Sequence, residues 1–326
     1  EMCIRDRFTT FHLSFGGFTM NQNAAILFLF IAILGADASK AQDGQFDWGQ
    51  SDTLYPGIQF TRIKVTEPRK LVICVSRVDT QSDRLTFHTT PRRDEWKVGE
   101  VETDRQKTRD FLIESRQNDI PTVLAINADA FSPWPAPYNK STPADLLGLA
   151  VSDGNLVSKG SGTPSIIQTQ KGEWKIQKTS PSFDTSNIRL AVSGFGICLD
   201  EGEAVPSGND LHPRTGIGLS KDTRYLFLIV VDGRQPSSFG VTTQELGNWL
   251  RHFGADRGIN LDGGGSTTMA CWDTGVTPPR CRLLNRPVGN GTRAEKLAPI
   301  LFLSTERANG NNFGVALKPE ASSLDR

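Results

Sequence analysis

One short segment, GINLDGGGSTTM at residues 258–269, constrains this chain more than any other part of it. A short apolar run ends in Asp262, three glycines follow, and three small hydroxyl residues come next. Glycine lacks a Cβ and tolerates positive φ, so the backbone N–H groups of such a loop can approach a ligand closely. The segment is not a P-loop, because no Lys follows the glycines, and it does not meet the dinucleotide-binding pattern G-x-G-x-x-G. It predicts a strand, a glycine turn and a second strand, with Asp262 beside a site for an anion or a polar substrate.

The beginning of the chain has the features of sequence that is removed before folding. Residues 1–19 do not begin with Met, and we interpret them as an upstream extension foreign to the protein. Met20 precedes an apolar run at 24–34 that is too short for a bilayer span of about 20 residues, and small residues typical of a cleavage site follow it. We therefore expect a signal peptide over 20–41 and a flexible N-terminal tail over 42–54. The protein is then secreted, periplasmic or part of the cell envelope, with no stable membrane insertion after cleavage.

Charge and cysteine content indicate which partners and which covalent links to expect. The formal net charge is zero, with 36 basic and 36 acidic residues, and no basic stripe is present, so we expect no nucleic-acid partner. Cys74, Cys198, Cys271 and Cys281 follow the signal, and the secretory route permits disulfides. Cys271 and Cys281 close a short loop and are the predicted disulfide. The cysteine spacings do not match a zinc site.

Periodicity in the rest of the chain predicts many strands and two or three helices. A helix is expected over 104–117 and another over 242–253, where apolar residues recur at helical spacing between Thr242 and Gly254. Hairpins are expected around Asp153-Gly154 and between 217–220 and 225–231. Further strands are predicted at 58–65, 71–78, 85–88, 122–126, 165–169, 174–177, 188–192, 258–261 and 297–303. The pattern indicates an α+β (mixed α/β) single domain with mixed sheets, an N-terminal part at 55–121, a core at 122–304 and a C-terminal tail at 305–326.

Four ionisable side chains lie at the ends of predicted strands: Asp129, Arg214, Asp232 and Asp262. Each also has an ordinary structural interpretation as a turn, a cap or a surface ion pair. Strand ends from distant parts of a sequence can meet at one end of a sheet, so we expect these four side chains to share a pocket. His212, beside Arg214, is either a general acid or part of a His-Pro turn.

The order of these motifs resembles the phosphodiester glycosidase family. The matching segments are RTGIG at 214–218, VDGR at 231–234, a helix, NLDGGGSTTM at 260–269 and NRP at 285–287. The resemblance runs from about residue 122 to residue 303. It implies hydrolysis of a sugar phosphodiester at the glycosidic C–O bond by a secreted or envelope protein of the kind associated with exopolysaccharide genes. One departure is that Ala128 and Ala130 stand where the family has glycine and phenylalanine.

The resemblance also implies roles for particular residues. Asp262 is expected as the nucleophile or base, with Asp129 or Asp232 as a partner carboxylate. Arg214 is expected to bind the phosphodiester, since a guanidinium can do so through two hydrogen bonds. The rest of the substrate and phosphate site is expected to comprise Asn127, Thr215, Gly263, Gly264, Gly265, Ser266 and Thr267. This chemistry requires no cofactor. A Ca²⁺ or Mg²⁺ ion held by the three aspartates is an open alternative.

Two other functions stay open at this point. A non-catalytic carbohydrate-binding envelope protein on the same fold would account for Ala128 and Ala130, with Trp134, Tyr138 and Trp272 stacking on sugar rings. A phosphodiesterase that cleaves the P–O bond is chemically close. The sugar, the group beyond the phosphate and the oligomeric state do not follow from the residues.

Overall fold

Antiparallel β-sheet makes up most of the fold. The computed structural model describes residues 45–133, 140–290 and 305–318. Within these ranges the chain forms 21 strands and two α-helices, α1 (Thr108–Gln117) and α2 (Thr243–Phe253). The predicted α+β fold is therefore mainly β, and the predicted mixed sheets are antiparallel in each described strand pair. The predicted signal peptide, the strand expected at 297–303, Trp134 and Tyr138 lie outside the described residues.

The largest sheet has eight strands and carries most of the predicted site. Its strands lie in the order β1 (Asp52–Tyr55), β2 (Ile58–Val65), β3 (Leu71–Asp79), β17 (Tyr225–Val231), β16 (Arg214–Leu219), β18 (Arg257–Asn260), β14 (Gly196–Asp200) and β15 (Glu203–Ala204). Six of the seven residues of β17 are buried. Leu228 and Val230 face a core shared with the other sheets, while Phe227, Ile229 and Val231 belong to the core beneath α2. Burial on both faces explains why β17 is a continuous apolar run.

Three smaller sheets complete the described fold. One has the order β20 (Arg280–Leu283), β19 (Met269–Asp273), β6 (Thr122–Asn127), β21 (Asn312–Leu317) and β4 (Leu85–Thr89). A second has the order β10 (Asn155–Ser158), β9 (Ala150–Ser152), β13 (Ile188–Ser193), β11 (Pro164–Thr169) and β12 (Trp174–Lys178). A third consists of β5 (Thr103–Asp104), β8 (Pro143–Leu146) and β7 (Phe131–Ser132).

The two helices cover opposite outer faces of the sheets. Leu246 and Leu250 of α2 pack on the eight-stranded sheet, and Phe111 and Leu112 of α1 pack on Ala125 and Ala270 of the β6–β19 sheet. The start and end of α2 are as predicted: Thr242 and Glu245 form a capping box, and Gly254 closes the helix at φ 106°. Helix α1 begins at Thr108 rather than at the predicted residue 104, because Thr103 and Asp104 pair with β8 as a strand. Neither described helix is long and apolar enough to cross a bilayer.

Two segments expected to be tails are part of the fold. Trp48 is buried in the core beneath α2, and its indole N–H donates to the carbonyl of Phe253 at 2.9 Å, so the predicted tail at 42–54 is wrong for its described part. The predicted tail at 305–326 is wrong for β21, which pairs with both β6 and β4. Gly314 of β21 has no side chain, and a Cβ there would lie 2.4 Å from the imidazole of His88. Long-range pairing therefore decides the structure of both segments.

The predicted disulfide between Cys271 and Cys281 is absent, and all four described cysteines are free thiols. The strand register explains this. Cys281 of β20 lies opposite Trp272, whereas Cys271 lies opposite Arg282. Side chains alternate between the two faces of a sheet, so the two thiols are on opposite faces. Cys271 belongs to the shared core, and Cys281 packs with the cluster beneath α1.

Candidate active site

One end of the eight-stranded sheet carries three of the four predicted ionisable residues, and we call this end the site rim. Strands β17 and β18 end there, with Asp232 and Asp262 just beyond them, and the antiparallel β16 begins there with Arg214. Arg214 pairs with Val231 in the β16–β17 register. The N–H of Leu261 donates to the carbonyl of Thr215 at 2.9 Å. Arg214 and Asp262 are therefore neighbours across two adjacent chain segments.

Asn127, at the end of β6, ties the second sheet to the site rim. Its side-chain Nδ2 donates to the backbone carbonyl of Asp262 at 2.7 Å. Its Oδ1 accepts from the Thr215 hydroxyl at 2.7 Å and from the Thr268 N–H at 3.0 Å. The Asp262 N–H in turn donates to the carbonyl of Ala128 at 2.9 Å. Asn127 and Thr215, both fully buried, thus hold the glycine segment in place.

Each of the three glycines in the turn has a structural reason to lack a side chain. Gly264 has φ 62° and opens a short 3₁₀ turn, Gly264–Ser266. A Cβ on Gly263 would lie 2.8 Å from the carbonyl oxygen of Pro213, and a Cβ on Gly265 would lie 1.7 Å from that of Gly289. Positive φ at Gly264 and backbone contact at the other two positions explain why the sequence has glycine here.

The segment 260–268, from the last residue of β18 to the start of β19, contains five buried polar atoms that lack a hydrogen-bond partner among the described protein groups. They are Asn260 Oδ1, Asp262 Oδ2, Ser266 Oγ, Thr267 Oγ1 and Thr268 Oγ1. Buried polar atoms are nearly always hydrogen-bonded to protein or to ordered water, so these five atoms make the segment a candidate for contact with water or a polar ligand. The predicted strand, glycine turn and second strand are confirmed, with β19 following the turn.

Asp262 has a perturbed carboxyl group. Part of the residue is exposed, but Oδ2 is buried. Burial raises the pKa of Asp262 to about 6, and the charge of Arg307 opposes the rise. The Ser266 hydroxyl also lowers this pKa from nearby, although it makes no hydrogen bond of normal geometry. Asp262 is therefore largely ionised at neutral pH, and its buried Oδ2 has no hydrogen-bond partner among the described protein groups.

Two guanidinium groups lie at the site rim without a carboxylate partner among the described residues. Arg214 donates to the carbonyls of Val241 and Asp210, each at 3.2 Å. Arg234 lies over the glycine turn, with Nη1 3.3 Å from the position of a Cβ on Gly264. Burial lowers the pKa of both arginines, and for Arg214 the charge of Arg234 adds to the effect. Two close cations that form no ion pair among the described residues favour an anionic ligand.

The Arg234 backbone has φ 57°, the left-handed region that residues other than glycine rarely occupy. Such strain is typical of functional sites. VDGR was recognised as a motif, but its arginine was not among the predicted site residues. No local pattern in the sequence reports a positive φ at a non-glycine residue.

His212 is held by the same cluster. Arg234 donates to its Nδ1 at 3.1 Å. Because a guanidinium can only donate, Nδ1 is the acceptor, and a neutral ring carries its proton on Nε2. Burial lowers the pKa of His212, and the charges of Arg234 and Arg214 lower it further. His212 is therefore better suited to donate a hydrogen bond from a neutral ring than to act as a cationic acid.

The other two predicted carboxylates are engaged by protein donors. Asp129 is fully buried, and it accepts from the Ser193 N–H and from Asn311 Nδ2, each at 2.7 Å. Burial raises the pKa of Asp129 well above its usual range, against these two hydrogen bonds. Asp232 accepts from Asn285 Nδ2 and from the Arg286 N–H, each at 3.0 Å. Burial raises the pKa of Asp232 to about 6.

Asn285 links Asp232 to the glycine segment. Its Nδ2 donates to the Thr267 carbonyl at 3.1 Å as well as to Asp232, and its Oδ1 accepts from the Met269 N–H at 2.8 Å. The NRP segment at 285–287 thus supports the end of the turn. Arg307 is buried behind the turn and donates to Asn290 Oδ1 and to the Gly289 carbonyl. Sequence reasoning did not identify Arg307, which lies in the predicted tail.

The three aspartates are not gathered into a metal site. No group of three or more His, Cys, Asp or Glu side chains that could hold a metal ion occurs in the described parts of the chain. Asp129 and Asp232 instead face their own donors. The conditional prediction of a cation held jointly by Asp129, Asp232 and Asp262 is therefore not supported by their arrangement.

Ala128 and Ala130 fit the turn without strain. Neither residue has a positive φ, and Ala128 donates its N–H to the carbonyl of Asn311 at 2.9 Å. Trp272 packs against the guanidinium of Arg116, 4.3 Å from its ring centre. A separate cavity of about 420 Å³, lined in part by His88 and Arg189, contains none of the predicted site residues.

The fold is similar to solved structures of low sequence identity. One is the catalytic domain of zebrafish N-acetylglucosamine-1-phosphodiester alpha-N-acetylglucosaminidase, auto-inhibited by its pro-peptide, with TM-score 0.57 and 18% identity over 82% of this chain and 87% of that one. Another is a hypothetical protein from Synechocystis, with TM-score 0.50 and 14% identity over 81% of this chain and 63% of that one. None of the curated proteins matches the sequence.

A family profile described as phosphodiester glycosidase matches residues 121–298, which confirms the resemblance seen in the motifs. The matched region contains Asn127, Arg214, Asp232, Asp262 and the glycine turn. It makes up more than half of the chain, and this protein therefore belongs to the phosphodiester glycosidase family.

Proposed function

We propose that this protein hydrolyses the glycosidic C–O bond of a sugar linked through C1 to a phosphodiester. The observation that carries the proposal is that Asp262 lies at the same end of the sheet as Arg214 and Arg234. In the described parts of the chain, Asp262 Oδ2 is buried without a hydrogen-bond partner and the two guanidinium groups form no ion pair with a carboxylate. Asp262 directly precedes the glycine turn in the chain, and the Arg234 guanidinium lies over Gly264 of that turn. A sugar phosphodiester matches this arrangement, because it carries one negative charge next to an electrophilic carbon.

Arg234 and Arg214 bind the phosphodiester. Arg234 lies over Gly264 and Arg214 lies beside Asp262, so both are next to the turn. Within the turn the N–H groups of Gly264 and Ser266 already donate to the carbonyls of Pro213 and Gly263. Gly264 is the position open to the phosphate, because a Cβ there would meet only the end of the Arg234 side chain. In the reaction the C1–O bond breaks and its electron pair leaves on the phosphate monoester. The oxygen of water ends on C1. A phosphate monoester is a stable leaving group, so the chemistry requires less help from a general acid than an ordinary glycoside does.

Asp262 acts as the nucleophile or the base. Its pKa of about 6 leaves it mainly ionised at neutral pH, and it can stabilise positive charge at C1 as the bond to phosphate breaks. Asp129 and Asp232 act by positioning, since their oxygens already accept hydrogen bonds from Ser193, Asn311 and Asn285. The sequence led us to expect Asp129 or Asp232 as a partner carboxylate in the chemistry. We now propose that neither contacts the substrate directly.

The test is turnover of a sugar-1-phosphodiester by the wild type, by Asp262→Asn and by Asp83→Asn. Asp83 is an exposed aspartate after β3, at the opposite end of the same sheet. Loss of turnover in Asp262→Asn alone, with the substrate still bound, supports the proposal. Full activity in Asp262→Asn contradicts it. Binding of the substrate without turnover by the wild type indicates a carbohydrate-binding protein instead.

We further propose that this activity lies outside the cytoplasm, in the cell envelope or the surrounding medium. The apolar run at 24–34 and the small residues after it support this location. Fractionation of cells expressing the full chain, with an antibody to the folded part, tests it. Protein retained in the cytoplasm at full length contradicts it.

A further inference from the structure

Exposed apolar side chains are concentrated around the site rim. Five large apolar residues are substantially exposed in the described parts of the chain, and only Ile120, before β6, lies away from the site. The other four adjoin the segments that build the site: Leu147, Phe195, Leu211 and Phe239. A single exposed apolar residue is ordinary, but a group of them around a polar centre marks a contact surface.

Phe239 and Leu211 lie on the side of the cations. Phe239, 50% exposed, donates its N–H to the carbonyl of Lys70 at 3.0 Å, directly before β3. The next residue, Gly240, approaches His212 so closely that a Cβ there would lie 2.5 Å from the His212 carbonyl oxygen. Leu211 precedes His212 in the chain. The two apolar side chains therefore belong to the same loops as the groups that would hold the phosphate.

Phe195 and Leu147 lie on the other side, next to the carboxylates. The N–H of Phe195 donates at 2.8 Å to the carbonyl of Asn260, which stands two residues before Asp262 in the chain. The N–H of Leu147 donates to the carbonyl of Ala130 at 2.8 Å, beside Asp129. The cations thus have their own apolar neighbours, distinct from those near Asp262.

We propose that Phe239 and Leu211 form a subsite for an apolar chain attached to the far side of the phosphate, so that the substrate is an amphiphilic sugar phosphodiester. The proposal rests on the proposed function for the sugar half of that substrate. The groups at this end of the sheet match the parts of such a molecule. The Asp262 carboxylate would face the sugar carbon, and Arg214 and Arg234 would bind the phosphate. Phe239 and Leu211, in the same loops as the cations, would contact the apolar chain.

The size of the effect follows from the burial of methylene groups. Each methylene moved from water into apolar contact strengthens binding about fourfold. A tenfold preference requires about 1.4 kcal/mol, the burial of about two methylenes. Side chains of the size of Phe239 and Leu211 can cover at least that much of an alkyl chain.

The test compares the binding of octyl phosphate and methyl phosphate by titration calorimetry, below the concentration at which octyl phosphate aggregates. The wild type is expected to bind octyl phosphate at least about tenfold more tightly. Phe239→Ser and Leu211→Ser are each expected to reduce this ratio, and the double variant to bring it near one. Ile120→Ser, a matched exposed residue beyond the opposite end of β6 from Asn127, is expected to keep the wild-type ratio.

Equal affinity of the wild type for the two phosphates overturns the proposal, as does a ratio that is unchanged in the double variant. A ratio lost in Phe195→Ser but kept in the double variant also overturns it. Thermal unfolding of each variant checks that it is folded. Binding does not require hydrolysis, so failure to hydrolyse any sugar phosphodiester would count against the proposed function and leave the binding result to stand alone.

Discussion

The side-chain amide of Asn127 donates to the backbone carbonyl of Asp262 at 2.7 Å, across 135 positions of sequence. The same side chain accepts from Thr215 and Thr268, so its three hydrogen bonds join β6, β16 and the glycine segment. Asn127 is fully buried, so none of these partners can be replaced by water without cost. The position of the Asp262 backbone therefore depends on a residue that lies in another sheet.

Replacing Asn127 by Asp exchanges the donor for an acceptor that faces the Asp262 carbonyl. The variant is expected to lose at least about 2 kcal/mol of unfolding free energy, because a buried acceptor is left facing another acceptor and a charge is added. Urea unfolding at neutral pH measures this. The matched control is Asn187→Asp, at an exposed position, where we expect a change within about 0.5 kcal/mol. Equal stability of the two variants would show that Asn127 does not hold the site together.

The pKa of Asp262 predicts a pH-dependent gain in stability for Asp262→Asn. Burial raises this pKa from 3.8 to about 6 in the folded protein. Between these values the folded state holds more protons than the unfolded state, so the wild type loses stability as pH rises from about 4 to 6. The asparagine variant lacks this loss. It should exceed the wild type by up to about 3 kcal/mol at pH 8, and the excess should disappear near pH 4.

Denaturant unfolding of both proteins across this pH range provides the measurement. Asp222→Asn is the control, because Asp222 is exposed and its pKa is lowered by the Ser220 hydroxyl and the Arg224 N–H. No gain at high pH is expected for the control. A variant at Asp262 that is less stable than the wild type at pH 8 contradicts the assignment of a desolvated carboxylate.

Gly264 and Gly265 are expected to respond differently to alanine. At Gly265 a Cβ overlaps the Gly289 carbonyl at 1.7 Å, and the backbone must move, at a cost of about 1–3 kcal/mol or more. At Gly264 the neighbour at 3.3 Å is the end of the Arg234 side chain, which can shift, although φ 62° adds strain. Gly265→Ala should therefore unfold at a clearly lower temperature, and Gly264→Ala should chiefly weaken substrate binding. A larger loss of stability in Gly264→Ala contradicts the turn geometry.

Arg234→Lys tests whether Arg234 binds the phosphate. Lysine keeps the charge but loses the planar pair of donors, so KM is expected to rise about tenfold with a smaller change in kcat. Arg224→Lys is the control, since Arg224 pairs with Asp79 at the opposite end of β17 and β3. Steady-state kinetics on the same substrate decide the matter. An unchanged KM for Arg234→Lys would remove Arg234 from the phosphate site.

Local signals were sufficient where the structure is local. Helix α2 could be predicted with its boundaries, because Thr242, Glu245 and Gly254 encode both ends within the helix itself. The strand that ends before Asp262 could be predicted because its apolar residues stand directly before the glycines that end it. Strand β21 could not, since its short sequence becomes a strand only by pairing with β4 and β6, more than a hundred residues earlier.

The site was predictable as a set of motifs but not as an arrangement. Strand-end placement indicated correctly that Arg214, Asp232 and Asp262 meet at one end of a sheet. The partners that occupy Asp129, and the left-handed backbone of Arg234, depend on contacts between distant segments. The predicted disulfide is wrong because the β19–β20 register puts the two cysteines on opposite faces of the sheet, and their spacing in the sequence does not determine that register.

If water attacks the sugar carbon with the help of Asp262, hydrolysis of a sugar-1-phosphodiester in ¹⁸O-labelled water puts the label on the sugar. Mass spectrometry of both products measures this. We expect label in the released sugar, none in the phosphate monoester, and no labelled product with Asp262→Asn. Label in the phosphate monoester would show that the P–O bond is cleaved instead, and the proposed reaction would be wrong.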